Sequence, residues 1–100
     1  MDAPLTEGTI IVASNDQVSA PLGGETVVLG MLDGIYYGFE SVANRVWELI
    51  QQPRSLGSVA DVIAAEFDVT RERALNDLLA FASDLRARGL IEVGPVHAAD

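Results

Sequence analysis

The sequence has 100 residues and a mass of 10.6 kDa, the size of one small domain. It carries 15 acidic residues against 6 basic ones, all of them arginine, which gives a formal net charge of −9. Such a charge repels phosphate and argues against sequence-independent nucleic-acid binding. No apolar run approaches the roughly 18–20 residues that a membrane span needs. The chain has no Cys, which excludes disulfides and thiol catalysis and makes a reducing cytoplasm the expected compartment.

The first forty residues carry strand patterns. Thr9–Ala13 is rich in β-branched side chains and predicts a first strand, and Gln17–Ala20 is expected to fold back against it. The pair Gly23-Gly24 then indicates a break in the chain. Two apolar runs follow, one on each side of Asp33-Gly34, a pair that suits a two-residue type I′ turn. The sequence therefore predicts a β-hairpin around this turn.

A two-residue turn also fixes the register of that hairpin. Leu32 then lies opposite Ile35, and Val28 lies opposite Phe39. Since side chains alternate along a strand, both faces of the hairpin are apolar and each is expected to be covered. One face carries Val28, Leu32, Ile35, Tyr37 and Phe39, and the other carries Val27, Leu29, Met31 and Tyr36.

Helical patterns occupy the next fifty residues, in three segments with short connections. The first helix is expected to run from Ser41 to about Gln52, where Pro53 stops it. The third is the longest and ends at Gly89, in the position that favours a left-handed residue. The predicted N-caps are Ser41, then Ser55 or Ser58, then Thr70.

The end of the chain completes a single domain over residues 1–93. Leu90–Val93 is a candidate closing strand, and residues 94–100 are expected to form a flexible tail. His97, the only histidine, lies in that tail, and the carboxylates are scattered without a marked acid/base pair. No Gly-rich phosphate loop follows a strand. We therefore expect no enzyme activity, no metal site and no cofactor.

Three helices after a hairpin resemble a winged-helix arrangement, which often binds DNA. The third helix would be the recognition helix, yet Glu72, Asp77 and Asp84 lie among its arginines. A DNA-binding regulator needs a basic helix or wing, so this alternative is the weaker one.

A peptide-binding surface fits the pattern better. If the three predicted strands lie in chain order, Ile35–Phe39 is an edge strand without charge or proline, and an extended peptide can pair with it. The third helix would supply the second wall of a groove. Leu78 and Leu85 could equally lie wholly in the core. The candidate peptide-binding residues are Ile35, Tyr36, Tyr37, Gly38 and Phe39 on the strand and Asp77, Leu78, Phe81, Asp84 and Leu85 on the helix.

Two stretches carry a resemblance to a known family. The run VLGMLDGIYYGFESVANRVWELIQQP combines a tyrosine-rich strand with a helix that contains Val46-Trp47, and a second run ends in Gly89-Leu90-Ile91. This ordered set, over roughly residues 9–93, resembles the PqqD-like family, also called RiPP recognition elements. The strand-to-helix corner, Phe39-Glu40-Ser41, departs from the Leu-Asn pair that is typical of the family.

The resemblance implies an α+β fold in which an N-terminal three-stranded antiparallel sheet packs on a three-helix, winged-helix-like bundle. It also implies a non-catalytic domain that binds the leader peptide of a ribosomally made precursor as an added strand. The Tyr36-Tyr37-Gly38 segment is most similar to the free-standing leader-binding proteins of lasso-peptide biosynthesis. The implied partners are a leader-removing cysteine protease and an ATP-dependent macrocyclase, with no nucleic acid and no membrane. The alternative within the family is a peptide chaperone for a radical SAM enzyme.

Overall fold

Two antiparallel sheets of three strands each and three helices form the computed structural model, which describes residues 4–94. The strands are β1 (Ile10–Ala13), β2 (Gln17–Leu22), β3 (Glu25–Gly30), β4 (Tyr36–Phe39), β5 (Arg54–Ser55) and β6 (Ile91–Gly94). The helices are α1 (Ser41–Leu49), α2 (Leu56–Glu66) and α3 (Arg71–Ala87). The α+β class is therefore confirmed, whereas the expectation of a single sheet is wrong.

The first strand lies in a different sheet from the hairpin. β1 is the central strand of the order β5-β1-β6, and Ile11 is fully buried there. The fold-back of Gln17–Ala20 onto β1 is wrong, because β2 pairs with β3 through Gly23-Gly24. Both glycines have positive φ, 59° and 86°, as the tight turn of a hairpin requires. The predicted closing strand is confirmed as β6, which pairs with β1 and extends to Gly94.

The register of the second hairpin differs from the predicted one by two residues. The Gly30 N–H donates to the Ile35 carbonyl at 2.9 Å, which leaves a four-residue loop where a two-residue turn was expected. One Asp33 carboxylate oxygen accepts the Ile35 N–H at 3.0 Å, so the aspartate side chain stabilises the wider loop. Tyr37 therefore lies opposite Val28, the position predicted for Phe39. A shift of two keeps every strand side chain on its predicted face.

The helix ends follow the predicted caps with one exception. The Ser55 and Thr70 hydroxyls accept the N–H groups of Ser58 and Arg73 as N-caps. After α3, Gly89 adopts a φ of 74°, and the N–H groups of Gly89 and Leu90 return to the carbonyls of Arg86 and Leu85. Gly89 thus takes the left-handed position that the sequence predicted, and the two hydrogen bonds form a Schellman arrangement.

The exception is the start of α1. Glu40 is its N-cap and makes no side-chain cap bond, whereas Ser41, the predicted cap, is the first helical residue with a φ of 59°. The helix also ends at Leu49 and not near Gln52, because the chain must extend again to pair β5 with β1.

The core lies between the sheets and the helices and includes the cluster of Phe39, Trp47 and Phe81. The Phe39 ring lies 5.3 Å from the Trp47 ring and 5.6 Å from the Phe81 ring, between centroids. This cluster joins β4 to α1 and α3, so it fixes the position of the edge strand relative to the third helix. Within residues 4–94, no helix combines the length and apolar character needed to cross a bilayer.

Candidate functional site

One long edge of the sheet β2-β3-β4 is open. β4 pairs only with β3 among the described strands, as the sequence predicted for an edge. Hydrogen-bonded and non-hydrogen-bonded residue pairs alternate along an antiparallel ladder. The hydrogen bond from the Gly30 N–H to the Ile35 carbonyl identifies which pairs of β3 and β4 are the hydrogen-bonded ones. The N–H and C=O groups of Tyr37 and Phe39 therefore point to β3. Those of Tyr36 and Gly38 point outward, where a further strand can pair with them.

The opposite edge of this sheet is interrupted by a proline. The Met31 N–H donates to the Asp16 carbonyl at 2.9 Å, so Val18, Ala20 and Leu22 are the residues of β2 that bond to β3. Pro21 then occupies an outward-facing position, where it offers no N–H. The two edges thus differ, because both outward positions of β4 keep their N–H groups and one outward position of β2 does not.

The five candidate residues of the strand are in different environments. The Tyr36 side chain is exposed, and an added Cβ at Gly38 would meet no atom within 4 Å. Tyr37 is half-buried and Phe39 is buried in the core, so neither ring lies open on the surface. Ile35 precedes β4 and is exposed. The strand thus offers backbone groups at two positions and open space above Gly38.

The third helix lies alongside β4 and runs antiparallel to it. Phe81 packs edge-on against Phe39, and two turns later Arg88 packs against Tyr37. On this flank Asp77 is exposed and Phe81 is half-buried. The edge of β4 and this flank of α3 are the two walls of what we call the peptide groove.

The other helical candidates contribute less surface. Leu78 and Leu85 are 4% and 1% exposed, which agrees with the alternative that both belong to the core. The Asp84 carboxylate pairs with the Arg88 guanidinium at 3.2 Å, so its charge is partly compensated.

A cavity of about 490 Å³ lies between the three helices, at the end of the peptide groove. Phe81 lines the cavity and also contacts Phe39, so the cavity begins where β4 ends. Its wall is apolar except for the carboxylates of Asp68 and Asp77. The lining residues are Val42, Ala43, Val46, Ile63, Phe67, Asp68, Val69, Ala74, Asp77, Leu78 and Phe81.

Of the residues that line the cavity, the sequence predicts only Asp77, Leu78 and Phe81 as site residues. A cavity arises from the way three helices meet, and the periodicity of one helix carries no information on that. One feature of the sequence does point to the cavity. Phe67 and Val69 are apolar residues in the connection after α2, where polar residues are usual.

A polar cluster closes the other end of the peptide groove. The Tyr37 hydroxyl donates to Asp33 Oδ2 at 2.6 Å, and the Arg88 guanidinium carbon lies 5.2 Å from the centroid of the Tyr37 ring. The hydrogen bond from Tyr37, followed by the one from the Ile35 N–H, lowers the pKa of Asp33 below its ordinary value of 3.8. The cluster connects the β3–β4 loop, β4 and the end of α3.

We expect Tyr37→Phe to raise the pKa of Asp33 toward 3.8, because the variant loses the hydroxyl donor to the carboxylate. In the native chain a lowered pKa means that ionised Asp33 stabilises the fold at pH values above 3.8, and that this contribution is lost as the pH falls through the lower, folded value. Carboxyl-carbon NMR titration measures the shift. Tyr36→Phe is the control, and equal Asp33 pKa values in both variants would contradict the assignment.

The arrangement of the described residues can bind an extended chain. No group of three or more His, Asp or Glu side chains in residues 4–94 is arranged to hold a metal ion. The predicted tail residues 95–100, with His97, lie outside the described residues. What the site combines is an open strand edge, an apolar cavity and carboxylates at the rim, which suits an extended chain with apolar and basic side chains.

Comparison with known proteins agrees with this geometry. Residues 25–91 match the family model described as coenzyme PQQ synthesis protein D, PqqD. The solved structure of TbiB1 in complex with the TbiA(beta) leader peptide is 31% identical, with a TM-score of 0.77, over 84% of this chain and 98% of that one.

A second solved structure, lasso peptide synthetase B1 complexed with the leader peptide, is 21% identical, with a TM-score of 0.73. The match covers 82% of this chain and 96% of that one, and it shows a shared fold. No curated protein gives a significant match.

Proposed function

Because the chain belongs to the PqqD family, whose members are non-catalytic peptide-binding domains, we propose that it binds the leader peptide of a ribosomally made precursor. The leader adds as a fourth strand along β4, beside α3. The open edge of β4 is the observation that carries this proposal. The leader peptide bound to TbiB1, a protein 31% identical to this chain, supports it.

Strand addition uses the outward groups of β4. A leader strand would exchange backbone hydrogen bonds with Tyr36 and Gly38, each contributing about 1 kcal/mol net. The absence of a side chain at Gly38 lets the incoming strand approach closely.

Amide hydrogen exchange tests this mode directly. On saturation with the synthetic leader, the amides of Tyr36 and Gly38 should gain protection, whereas those of Tyr37 and Phe39 are already bonded to β3. Unchanged exchange at Tyr36 and Gly38 in a chain that demonstrably binds the leader would exclude strand addition here.

The helix flank and the cavity add selectivity for side chains. Phe81 and the cavity suit an apolar leader residue, and Asp77 at the rim suits a basic residue beside it. The chain carries a net charge of −9, which favours a leader with basic residues over an acidic one.

We expect Asp77→Ala to weaken leader binding by roughly three- to tenfold, the range for loss of one exposed charged contact. The melting temperature should hardly change, because Asp77 is exposed and its ion pair with Arg73 is long, at 3.6 Å. Fluorescence anisotropy with labelled leader measures the affinity. The control is Glu92→Ala, which removes one exposed carboxylate from β6, away from the peptide groove. Equal affinities in the two variants would remove Asp77 from the site.

In this proposal, leader binding brings the precursor to the enzymes that process it. The chain holds the leader so that a leader-removing cysteine protease and an ATP-dependent macrocyclase act on the precursor at a high effective concentration. The lasso-peptide pathway is supported by the Tyr36-Tyr37-Gly38 segment and by a fold shared with lasso peptide synthetase B1.

Reconstitution with the protease and a precursor tests delivery. Cleavage should be slow without the chain, fast with it, and slow again when excess free leader competes. A rate that does not respond to the chain would contradict delivery, and cleavage by the chain alone would contradict the non-catalytic role.

The second candidate function is a peptide chaperone for a radical SAM enzyme, which the description of the matching family model favours. Parallel titrations with a leader of each pathway separate the two. DNA binding has less support, because Arg71 and Arg73 of α3 and Arg88 at its C-cap all pair with carboxylates.

A further inference from the structure

The sheet β2-β3-β4 has a second face that the helices do not cover. We call it the outer face, and it carries Val18, Ala20, Leu22, Val27, Leu29, Tyr36 and Gly38. Val18, Leu22 and Tyr36 are 58%, 66% and 70% exposed. An apolar face of this extent on a small domain indicates contact with another molecule.

The charges around the outer face have one sign. The chain contains no Lys or Arg between Ser14 and Asn44. By strand alternation Asp16, Glu25 and Glu40 lie on the side of the outer face, at the ends of its strands. None of these three carboxylates has an ion-pair partner within residues 4–94.

The helical part of the molecule differs in this respect. There Arg45 pairs with Glu48 and Glu66, and Arg71 pairs with Glu7 and Asp61. Within the described part of the chain, five of the six carboxylates on the three helices pair with an arginine, Glu72 being the exception, whereas the three carboxylates around the apolar sheet face have no such partner. A surface that complements this face is apolar at its centre and carries Lys or Arg at its rim.

A second copy of the chain does not meet that description. Two copies placed face to face would bring together the same carboxylates and two net charges of −9. The leader-binding edge is continuous with the outer face, since Tyr36 and Gly38 belong to both. A leader strand paired with β4 would extend the same sheet and turn every second side chain toward this face.

We propose that the outer face docks the enzyme that removes the leader, through an apolar patch on that enzyme ringed by Lys and Arg. This inference rests on the proposed function. The enzyme would contact the sheet and the outward side chains of the bound leader together. It would therefore bind the loaded chain in preference to the empty one.

The test separates docking from leader binding. In Val18→Gln/Leu22→Gln both substituted side chains are more than half exposed, and neither belongs to β4 or α3. The leader affinity and melting temperature should stay within about twofold and a few degrees of the native values, because exposed positions contribute little to stability. The KM of the protease for the loaded chain should rise by about tenfold or more, a loss typical of truncated interface residues.

A charge variant tests the rim without changing the apolar patch. In Asp16→Asn/Glu25→Gln the docking rate should fall and depend less on salt, because steering charges act on association. Val93→Gln and Glu92→Gln, at the two exposed positions of β6, are the matched controls and should behave as the native chain.

Each result gives a distinct conclusion. Normal leader binding with a native KM in both double variants would overturn the docking inference and leave the proposed function intact. Failure of the native chain to bind the leader would overturn both. A native dimer by light scattering that dissociates in Val18→Gln/Leu22→Gln would show that a second copy covers the face, which overturns the inference.

Discussion

Gly38→Pro is expected to reduce the affinity for the leader by tenfold to a hundredfold with little change in the melting temperature. The N–H of Gly38 points away from β3, so the ladder inside the protein loses nothing when proline removes it. The leader carbonyl that pairs with it is left without a donor in the bound state. An unpaired buried acceptor costs about 1–3 kcal/mol, and each 1.4 kcal/mol is a factor of ten in affinity.

The matched control is Gly38→Ala, which keeps the N–H and places a methyl group where no atom lies within 4 Å. It should bind within a few-fold of the native chain. Titration with labelled leader and thermal unfolding should be done on both variants. Native affinity in the proline variant would show that the leader does not pair with this edge, whereas an unfolded proline variant would show that the register assigned to β4 is wrong.

Of the variants discussed, Phe39→Ala is expected to cause the largest loss in the free energy of unfolding. The ring is 7% exposed and packs against both Trp47 and Phe81. Truncating a buried phenylalanine typically costs about 3–5 kcal/mol, a large share of the 5–15 kcal/mol that stabilises a small domain. At about 4–8 °C for each kcal/mol in a domain of this length, the melting temperature should fall by more than 12 °C.

Calorimetry or circular dichroism measures this loss. Tyr36→Ala removes a ring of similar size from the other end of β4, where the side chain is 70% exposed, and should cost much less. Similar losses in the two variants would contradict the assignment of opposite sheet faces to Phe39 and Tyr36.

Local chemistry made much of the fold predictable. The hairpin, the three helices, the Schellman end of α3 and the edge position of β4 follow from side-chain period, capping residues and glycine. The faces of β3 and β4 were also predicted correctly although the register was not, because a shift of two residues preserves alternation. The error came from Asp33, whose side chain bonds to the Ile35 N–H and stabilises a longer loop.

Pairing between distant segments was not predictable from local pattern. The sequence shows that Thr9–Ala13 favours a strand, but its partners β5 and β6 follow at residues 54 and 91. In the same way the candidate residues on β4 and α3 came from strand alternation and helical spacing, whereas the cavity depends on the way three helices meet. The role of Arg88 beside Tyr37 likewise needs the tertiary structure.

Pro21 on the outer edge of β2 limits the growth of the sheet in a way that polymer chemistry describes well. A monomer with two reactive ends forms long chains, and a monomer with one reactive end stops at a pair. In the described residues β2 is the other edge strand of this sheet, and Pro21 removes one of its outward N–H groups, so two copies that join at β4 present only their proline-bearing strands to a third. The proline thus makes growth of fibrils through the β2 edge less favourable in a protein whose β4 edge stays free for a ligand.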